Sequence, residues 1–156
     1  QFPQAALVVT GPLGPHNANN RKYFEALSIL RAQLGLQGSV HFLAELIEAF
    51  LPDEVIADFY RIADALFFPS REEGFGIPLI EAAFSHLPAF CSDIAPLRDL
   101  GLSDAVFFSP DEDPVKIANM IAEYFQSSPT ARLSMRARSS FRWEAIYRQH
   151  IAPLLK

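Results

Sequence analysis

The chain has 156 residues, half of them hydrophobic, with 13 basic and 18 acidic residues and a formal net charge of −5. This length and apolar content predict one domain, residues 1–156, with a sizeable core. No apolar run is long enough to span a bilayer, and no basic stripe predicts nucleic-acid binding. The single cysteine, Cys91, excludes an internal disulfide framework and favours a reducing, cytoplasmic compartment. The first residues lack signal-peptide features and lead directly into an apolar run, which predicts a piece of a longer protein.

Short apolar runs and helical periodicity alternate along the chain. Strands are predicted at 5–10, 39–44, 65–70, 88–92 and 105–109. Helices are predicted at 21–35, 51–64, 77–86, 95–101, 113–126 and 129–155. Nearly continuous apolar strands alternating with helices predict an α/β, Rossmann-like, mostly parallel sheet with helices on both faces. Ligands bind such sheets at the carboxyl ends of the strands, so the loops that follow the strands are the first candidates for a site.

A motif with three carboxylates follows the third predicted strand, in the stretch PSREEGFGIPLIE (69–81). Glu72 and Glu73 directly precede a Gly-Phe-Gly turn, and Glu81 lies one turn into the next predicted helix. The glycines let a ligand approach the main chain closely, and the first amides of the helix attract an anion. Because carboxylates repel phosphate, their natural role here is to accept hydrogen bonds from sugar hydroxyls. The motif therefore predicts a nucleotide-sugar site, with a hexose on one side of the diphosphate and a ribose on the other.

These residues resemble the donor-binding segment of the retaining GT-B glycosyltransferases of the group 1 or family 4 type. The resemblance is most evident in ADALFFPSREEGFGIPLIEAAFSHLPAFCSDIAPLRDLG (63–101). The family's mark is a pair of glutamates separated by seven residues, here Glu73 and Glu81, with Gly-Phe-Gly after the first. The segments ALVVTGP, LGLQGSVHFLAEL and DAVFFSPDEDPVKIANMI resemble further parts of the same C-terminal domain, so the likeness covers nearly the whole chain.

The resemblance implies a C-terminal, donor-binding half of a GT-B fold and assigns roles by position. The implied donor-binding residues are Gly11, Glu73, Gly74, Phe75, Gly76, Ile77 and Glu81. Glu73 would bind the hexose and act as the catalytic residue by orientation and electrostatics, and Glu81 would bind the ribose hydroxyls. Transfer of a hexose to an acceptor hydroxyl would proceed with retention and without a metal or other cofactor.

The same resemblance implies partners that lie outside the chain. The family's Arg and Lys that neutralise the diphosphate would precede Gln1, as would the N-terminal acceptor domain of the same polypeptide. Contact with a membrane surface would come through that missing half. Two positions depart from the family's pattern: Ala44 and His86 stand where glycine is usual. Ala44 belongs to the segment that normally lies near the nucleobase.

Several of these residues have a simpler structural explanation. Gly11 could serve only the turn after the first strand, and Glu81 could serve only the helix dipole. We expect Arg71 and Glu72 on the surface. Other side chains with no chemical partner in the sequence are predicted to be structural: Cys91 as a buried apolar residue, Asp93 as a cap for the following helix or a ligand contact, Trp143 packed against the last helix, and four histidines without metal-ligand spacing.

Two other functions remain open at the level of sequence. One is a non-catalytic nucleotide-sugar-binding or regulatory module of the same fold. The other is an unrelated flavodoxin-like signalling domain, in which the spacing of the glutamates is a coincidence.

Overall fold

The computed structural model describes residues 5–11, 18–47 and 50–155. Strands and helices alternate in the predicted order. They are β1 (Leu7–Val9), α1 (Ala18–Gln33), β2 (Val40–Phe42), α2 (Asp53–Ile62), β3 (Leu66–Phe68), α3 (Ile77–Phe84), β4 (Ala89–Ser92), α4 (Ala95–Gly101), β5 (Val106–Phe108), α5 (Pro114–Ser127), α6 (Pro129–Ser140) and α7 (Trp143–Ile146). Each predicted strand is present but shorter than its apolar run. Most of the predicted loop between β1 and α1 lies outside the described residues.

The strands belong to two compact units, Gln1–Ala63 (unit 1) and Asp64–Lys156 (unit 2). In unit 1, β1 pairs in parallel with β2. In unit 2, β3, β4 and β5 form a parallel sheet with β4 in the centre. The predicted α/β class and parallel pairing are confirmed. Within the described residues these strands form two sheets, one of two strands and one of three.

The central strand of unit 2, β4, is buried on both faces, as expected when helices cover a parallel sheet. On one face, Ala89 and Cys91 of β4 pack with Leu79 of α3 and Leu97 of α4. On the opposite face, the fully buried ring of Phe90 packs against two aromatic rings of helix α5. The distances between ring centroids are 5.4 Å to Tyr124 and 6.4 Å to Phe125. The alternation of faces along β4 follows from the two-residue repeat of a strand.

Unit 1 is held by a smaller set of contacts between α1 and β2. The rings of Phe24 and Phe42 meet edge to face at 5.4 Å. Arg31 lies over the Phe42 ring at 4.8 Å, donates to the Val40 carbonyl at 3.2 Å and pairs with Glu45 at 2.5 Å. This guanidinium therefore links the helix to the end of the strand and to the 3₁₀ turn that follows it.

The C-terminal segment differs from the continuous helix predicted at 129–155. Helix α6 ends at Ser140, and Arg142 is extended, with φ −75° and ψ 147°. Helix α7 then passes into a π turn and a 3₁₀ turn. Trp143, predicted to pack against this segment, is 77% exposed. In the described ranges, no helix is both long enough and apolar enough to cross a membrane.

Candidate functional site

The carboxylate of Glu73 is oriented at the end of β3 by a hydroxyl group. Strand β3 ends at Phe68, and Pro69 leads into the loop. The Ser70 hydroxyl donates a hydrogen bond to Glu73 Oε1 at 2.8 Å. Both residues are half-buried, and Glu73 makes no ion pair within the described part of the chain. The carboxylate is therefore held by a neutral hydroxyl, and no cation of the described residues pairs with it.

The two glycines that follow Glu73 are explained by different causes. Gly76 is buried and has a φ of +92°, and a Cβ atom there would lie 2.6 Å from Leu97 Cδ2. Both the backbone conformation and the packing therefore require glycine at position 76. Gly74 is exposed, and a Cβ atom there would meet no described atom within 4 Å. Nothing in the described fold accounts for glycine at position 74, which is consistent with space kept open for a ligand.

Backbone donors lie at the start of α3. Gly76 is the residue before the helix, and Pro78 in the first turn has no N–H to offer. The Leu79 amide donates to the Gly76 carbonyl at 3.0 Å. Among the described hydrogen bonds, none is donated by the amides of residues 74–77. These amides and the positive end of the helix dipole can therefore bind an anion.

The remaining predicted residues flank the start of α3. Phe75 and Ile77 are 60% and 58% exposed. Glu81 lies one turn further along α3 and is half-buried, whereas Glu72 is exposed as predicted. Six of the seven predicted donor-binding residues are thus brought together on one loop and helix of unit 2.

Arg71 is a surface residue, as predicted, and is occupied by other groups. It pairs with Asp111 at 2.7 Å and donates to the Pro110 carbonyl at 3.1 Å. The arginine next to the candidate site thus joins two loops at the ends of β3 and β5.

Asp93 follows β4 and is engaged by an arginine instead of capping helix α4. Arg98 donates to Asp93 Oδ1 at 2.8 Å and also binds Oδ2. These hydrogen bonds lower the pKa of the Asp93 carboxyl below its ordinary value and raise that of Arg98. The residue preceding α4 is Ile94, and no side chain caps the helix. Both oxygens of Asp93 are therefore occupied by the guanidinium group.

Gly11, the seventh predicted residue, belongs to unit 1 and is exposed. It borders a cavity of about 210 Å³ at the carboxyl ends of β1 and β2. The cavity is lined by Val9, Gly11, Asn20, Tyr23, Phe24, Leu27, Phe42 and Ala44. Ala44, one of the two departures from the family's pattern, is therefore part of this lining. Sequence reasoning did not find the contribution of α1, because its apolar residues resemble any buried helix face.

The interpretation of Cys91 as a buried apolar residue is confirmed. Its side chain is fully buried, and burial raises the pKa of the thiol to about 11. The described residues contain no group of three His, Cys, Asp or Glu side chains arranged to hold a metal ion.

Ser70 is the residue near the motif that sequence reasoning missed. Its hydroxyl is the partner of Glu73, three positions further along the chain. The available signal was a serine directly before the acidic pair, at a spacing that a turn brings within reach.

Parallel strands covered by helices define an α/β domain consistent with the Rossmann-like C-terminal half of a GT-B fold. A family profile described as "Glycosyl transferases group 1" matches residues 1–140. The chain belongs to this family.

Several relatives are named glycosyltransferases. The serotype-specific mannosyltransferase WbdA of Escherichia coli is 40% identical over 74 residues, which are 47% of this chain and 9% of that protein. The O-antigen chain mannosyltransferase RfbU of Salmonella typhimurium is 35% identical over 91 residues, 58% of this chain and 24% of that protein. A D-inositol 3-phosphate glycosyltransferase of Streptomyces avermitilis is 28% identical over 143 residues, 88% of this chain and 29% of that protein. The chain thus spans less than a third of the length of each of these relatives.

Proposed function

We propose that the chain is the donor-binding domain of a retaining glycosyltransferase that transfers a hexose from a nucleotide-diphospho-sugar to an acceptor hydroxyl. The observation that carries this proposal is the segment from Glu73 to Glu81. It combines the half-buried carboxylate of Glu73 with the exposed Gly74, where an added Cβ atom would meet no described atom within 4 Å. At the start of α3 it also has backbone amides with no described acceptor. Membership of the group 1 family supports glycosyl transfer as the reaction.

Each part of the segment has a role in this proposal. The amides of residues 74–77 bind the diphosphate, since they lie at the positive end of α3. Glu73 accepts hydrogen bonds from the hexose, and Glu81 accepts them from the ribose. The exposed side chains of Phe75 and Ile77 cover the bound donor from solvent. The donor contact predicted for Gly11, which belongs to unit 1, stays a prediction.

The proposed reaction breaks the bond between the anomeric carbon and the leaving phosphate oxygen. The acceptor oxygen forms the new bond on the same face, and its proton passes to the leaving phosphate oxygen. The loop amides favour this step because negative charge grows on the diphosphate as the bond breaks. Glu73 orients the hexose and interacts with the positive charge that develops at the anomeric carbon, so it is not required to accept a proton.

The rest of the enzyme enters the proposal as parts of the longer polypeptide. Residues 1–156 form its C-terminal domain, and an N-terminal domain supplies the acceptor site and the basic pair for the diphosphate. We propose that transfer needs no metal, that the protein is cytoplasmic, and that any membrane contact is made by the N-terminal domain. Mannose is the first hexose to test, because two relatives are named mannosyltransferases.

Titration calorimetry on the full-length polypeptide tests the proposal directly. The titrants are UDP-, GDP- and ADP-linked mannose and glucose, with and without EDTA. We expect one base and hexose to be preferred and EDTA to have no effect. Glu73→Ala and Glu81→Ala should each weaken binding about 10- to 100-fold, the value of one hydrogen bond to a charged group. Glu72→Ala, which removes the neighbouring exposed carboxylate, is the matched control.

The outcomes separate the open functions. If no nucleotide-sugar binds, the donor-domain assignment is wrong. If binding persists unchanged in both glutamate variants, the roles of these two residues are wrong. If the donor binds but is neither transferred nor hydrolysed with any hydroxyl acceptor, the chain is a binding or regulatory module of the same fold.

A further inference from the structure

Two carboxylates at neighbouring strand ends of unit 2 are held in opposite ways. Asp93, after β4, has both oxygens bound by the Arg98 guanidinium. Glu73, after β3, has one oxygen bound by the Ser70 hydroxyl at 2.8 Å, and no cation of the described residues pairs with it. One carboxylate is therefore neutralised and fully engaged, and the other is oriented while it keeps an oxygen available.

We infer that Ser70 is a positioning residue that orients Glu73 for the hexose of the donor. This inference rests on the proposed function. A glutamate in a loop has several rotamers of similar energy, and fixing them costs conformational entropy each time a ligand binds. A hydrogen bond that already fixes one oxygen removes part of this cost before binding. Because the Ser70 hydroxyl is neutral and binds only one oxygen of Glu73, the other oxygen retains its full capacity to accept hydrogen bonds from sugar hydroxyls.

The local structure makes Ser70 suited to this role. Pro69 restricts its own backbone immediately after β3, and Ser70 and Glu73 lie three residues apart in the loop that follows. Both are half-buried, so the hydrogen bond is partly shielded from competing water. The interaction is confined to this loop, so its loss should affect ligand binding more than stability.

The test compares two ligands that share every contact except those made by the hexose. The affinity of the full-length protein is measured for the preferred nucleotide-sugar and for its nucleoside diphosphate alone. Ser70→Ala should weaken nucleotide-sugar binding about five- to tenfold and leave the diphosphate unchanged. Ser70→Thr, which keeps the hydroxyl, should restore most of the loss. In transfer assays, Ser70→Ala should lower kcat more than it raises KM, because the hexose contact strengthens as charge develops.

A matched control is available at the end of β5. The Ser109 hydroxyl accepts a hydrogen bond from the Asp111 amide at 3.3 Å, and no described hydrogen bond joins it to residues 69–81. Ser109→Ala should leave both affinities unchanged, and the melting temperatures of all three serine variants should be similar.

The results distinguish failure of this inference from failure of the proposed function. If Glu73→Ala loses the hexose contribution but Ser70→Ala binds like the wild type, Ser70 does not position Glu73, and the function stands. If Ser70→Ala and Ser70→Thr are equally impaired, or Ser70→Ala weakens both ligands alike, the hydroxyl is not the cause and the inference is wrong. If Glu73→Ala itself changes neither affinity, the proposed role of Glu73 fails.

Discussion

Strands β1 in unit 1 and β4 in unit 2 are similar in sequence character but not in burial. The residues of β1, Leu7–Val9, are 36–40% exposed, whereas those of β4, Ala89–Ser92, are 0–6% exposed. Strand β4 has a partner on each side and helices over both faces, while β1 pairs with β2 alone among the described strands. Apolar composition predicts where a strand forms, but the number of neighbours decides how much it contributes to stability.

The largest expected contrast is between core truncations in the two strands. Phe90→Ala removes a fully buried ring from β4 and should lower the free energy of unfolding by about 3–5 kcal/mol. Val8→Ala removes two methyl groups from a residue 38% exposed, and should cost less than about 1 kcal/mol. Urea denaturation of the isolated chain, monitored by hydrogen exchange of peptides from each unit, measures both losses of free energy. Equal losses would show that β1 is as well packed as β4.

The second contrast concerns two glycines with positive φ. Gly76→Ala combines backbone strain with a contact of 2.6 Å to Leu97 Cδ2, and should destabilise unit 2 by about 3 kcal/mol. Gly35→Ala, after α1 of unit 1, also has a positive φ, +66°, but an added Cβ atom would meet no described atom within 4 Å, and the change should cost about 1 kcal/mol. The same denaturation assay distinguishes strain alone from strain with crowding. A larger loss for Gly35→Ala would contradict the difference in packing.

The third contrast is a stabilising substitution. His86 lies two residues after the end of α3 and has φ +56°, and the Leu87 amide donates to the Ala82 carbonyl across this turn. His86→Gly should raise the free energy of unfolding by about 1 kcal/mol, because glycine adopts this conformation without strain. His41→Gly, in the exposed middle of β2, should instead lower it by about 0.5–1 kcal/mol. Thermal melts read by circular dichroism would show opposite shifts; a loss in both would mean that the His86 side chain makes a contribution that outweighs the strain.

The smallest expected effect is the pH dependence of one ion pair in each unit. Hydrogen bonding to Arg31 lowers the pKa of Glu45 below its ordinary value of 4.5, and Arg98 does the same for Asp93, whose ordinary value is 3.8. A carboxyl whose pKa is lower in the folded state stabilises the fold above its ordinary pKa and loses this effect as pH falls through the folded value. As pH falls, the loss of stabilisation should therefore begin below pH 4.5 for the pair in unit 1 and only below pH 3.8 for the pair in unit 2.

Hydrogen exchange between pH 5 and pH 2, corrected for intrinsic rates, would detect this order. Glu45→Gln and Asp93→Asn should flatten the response of their own unit only. A response that is unchanged by either substitution would assign the acid sensitivity to other carboxylates.

The sequence was sufficient for the order of elements and for most of the candidate site. The apolar runs and the Gly-Phe-Gly turn predicted the strands, α3 and the grouping of residues 73–81, because these features depend on local spacing. The division into two units could not be predicted, since strand pairing depends on contacts between distant segments. The break at Arg142 and the exposure of Trp143 also escaped prediction, because helical periodicity continues through them. The difference between the crowded Gly76 and the open Gly74 could not be predicted either, because the two residues look alike in the sequence.

The backbone of β1 has a practical consequence for work with the isolated chain. The Leu7 amide bonds to the Ser39 carbonyl, so the alternating geometry of a parallel pair directs the Val8 amide away from β2. Within the described residues no strand receives that amide. An unpaired apolar edge is a template for intermolecular β-sheet, and the three-residue length of β1 limits such pairing, so we expect the chain expressed alone to self-associate through Leu7–Val9 only at high concentration.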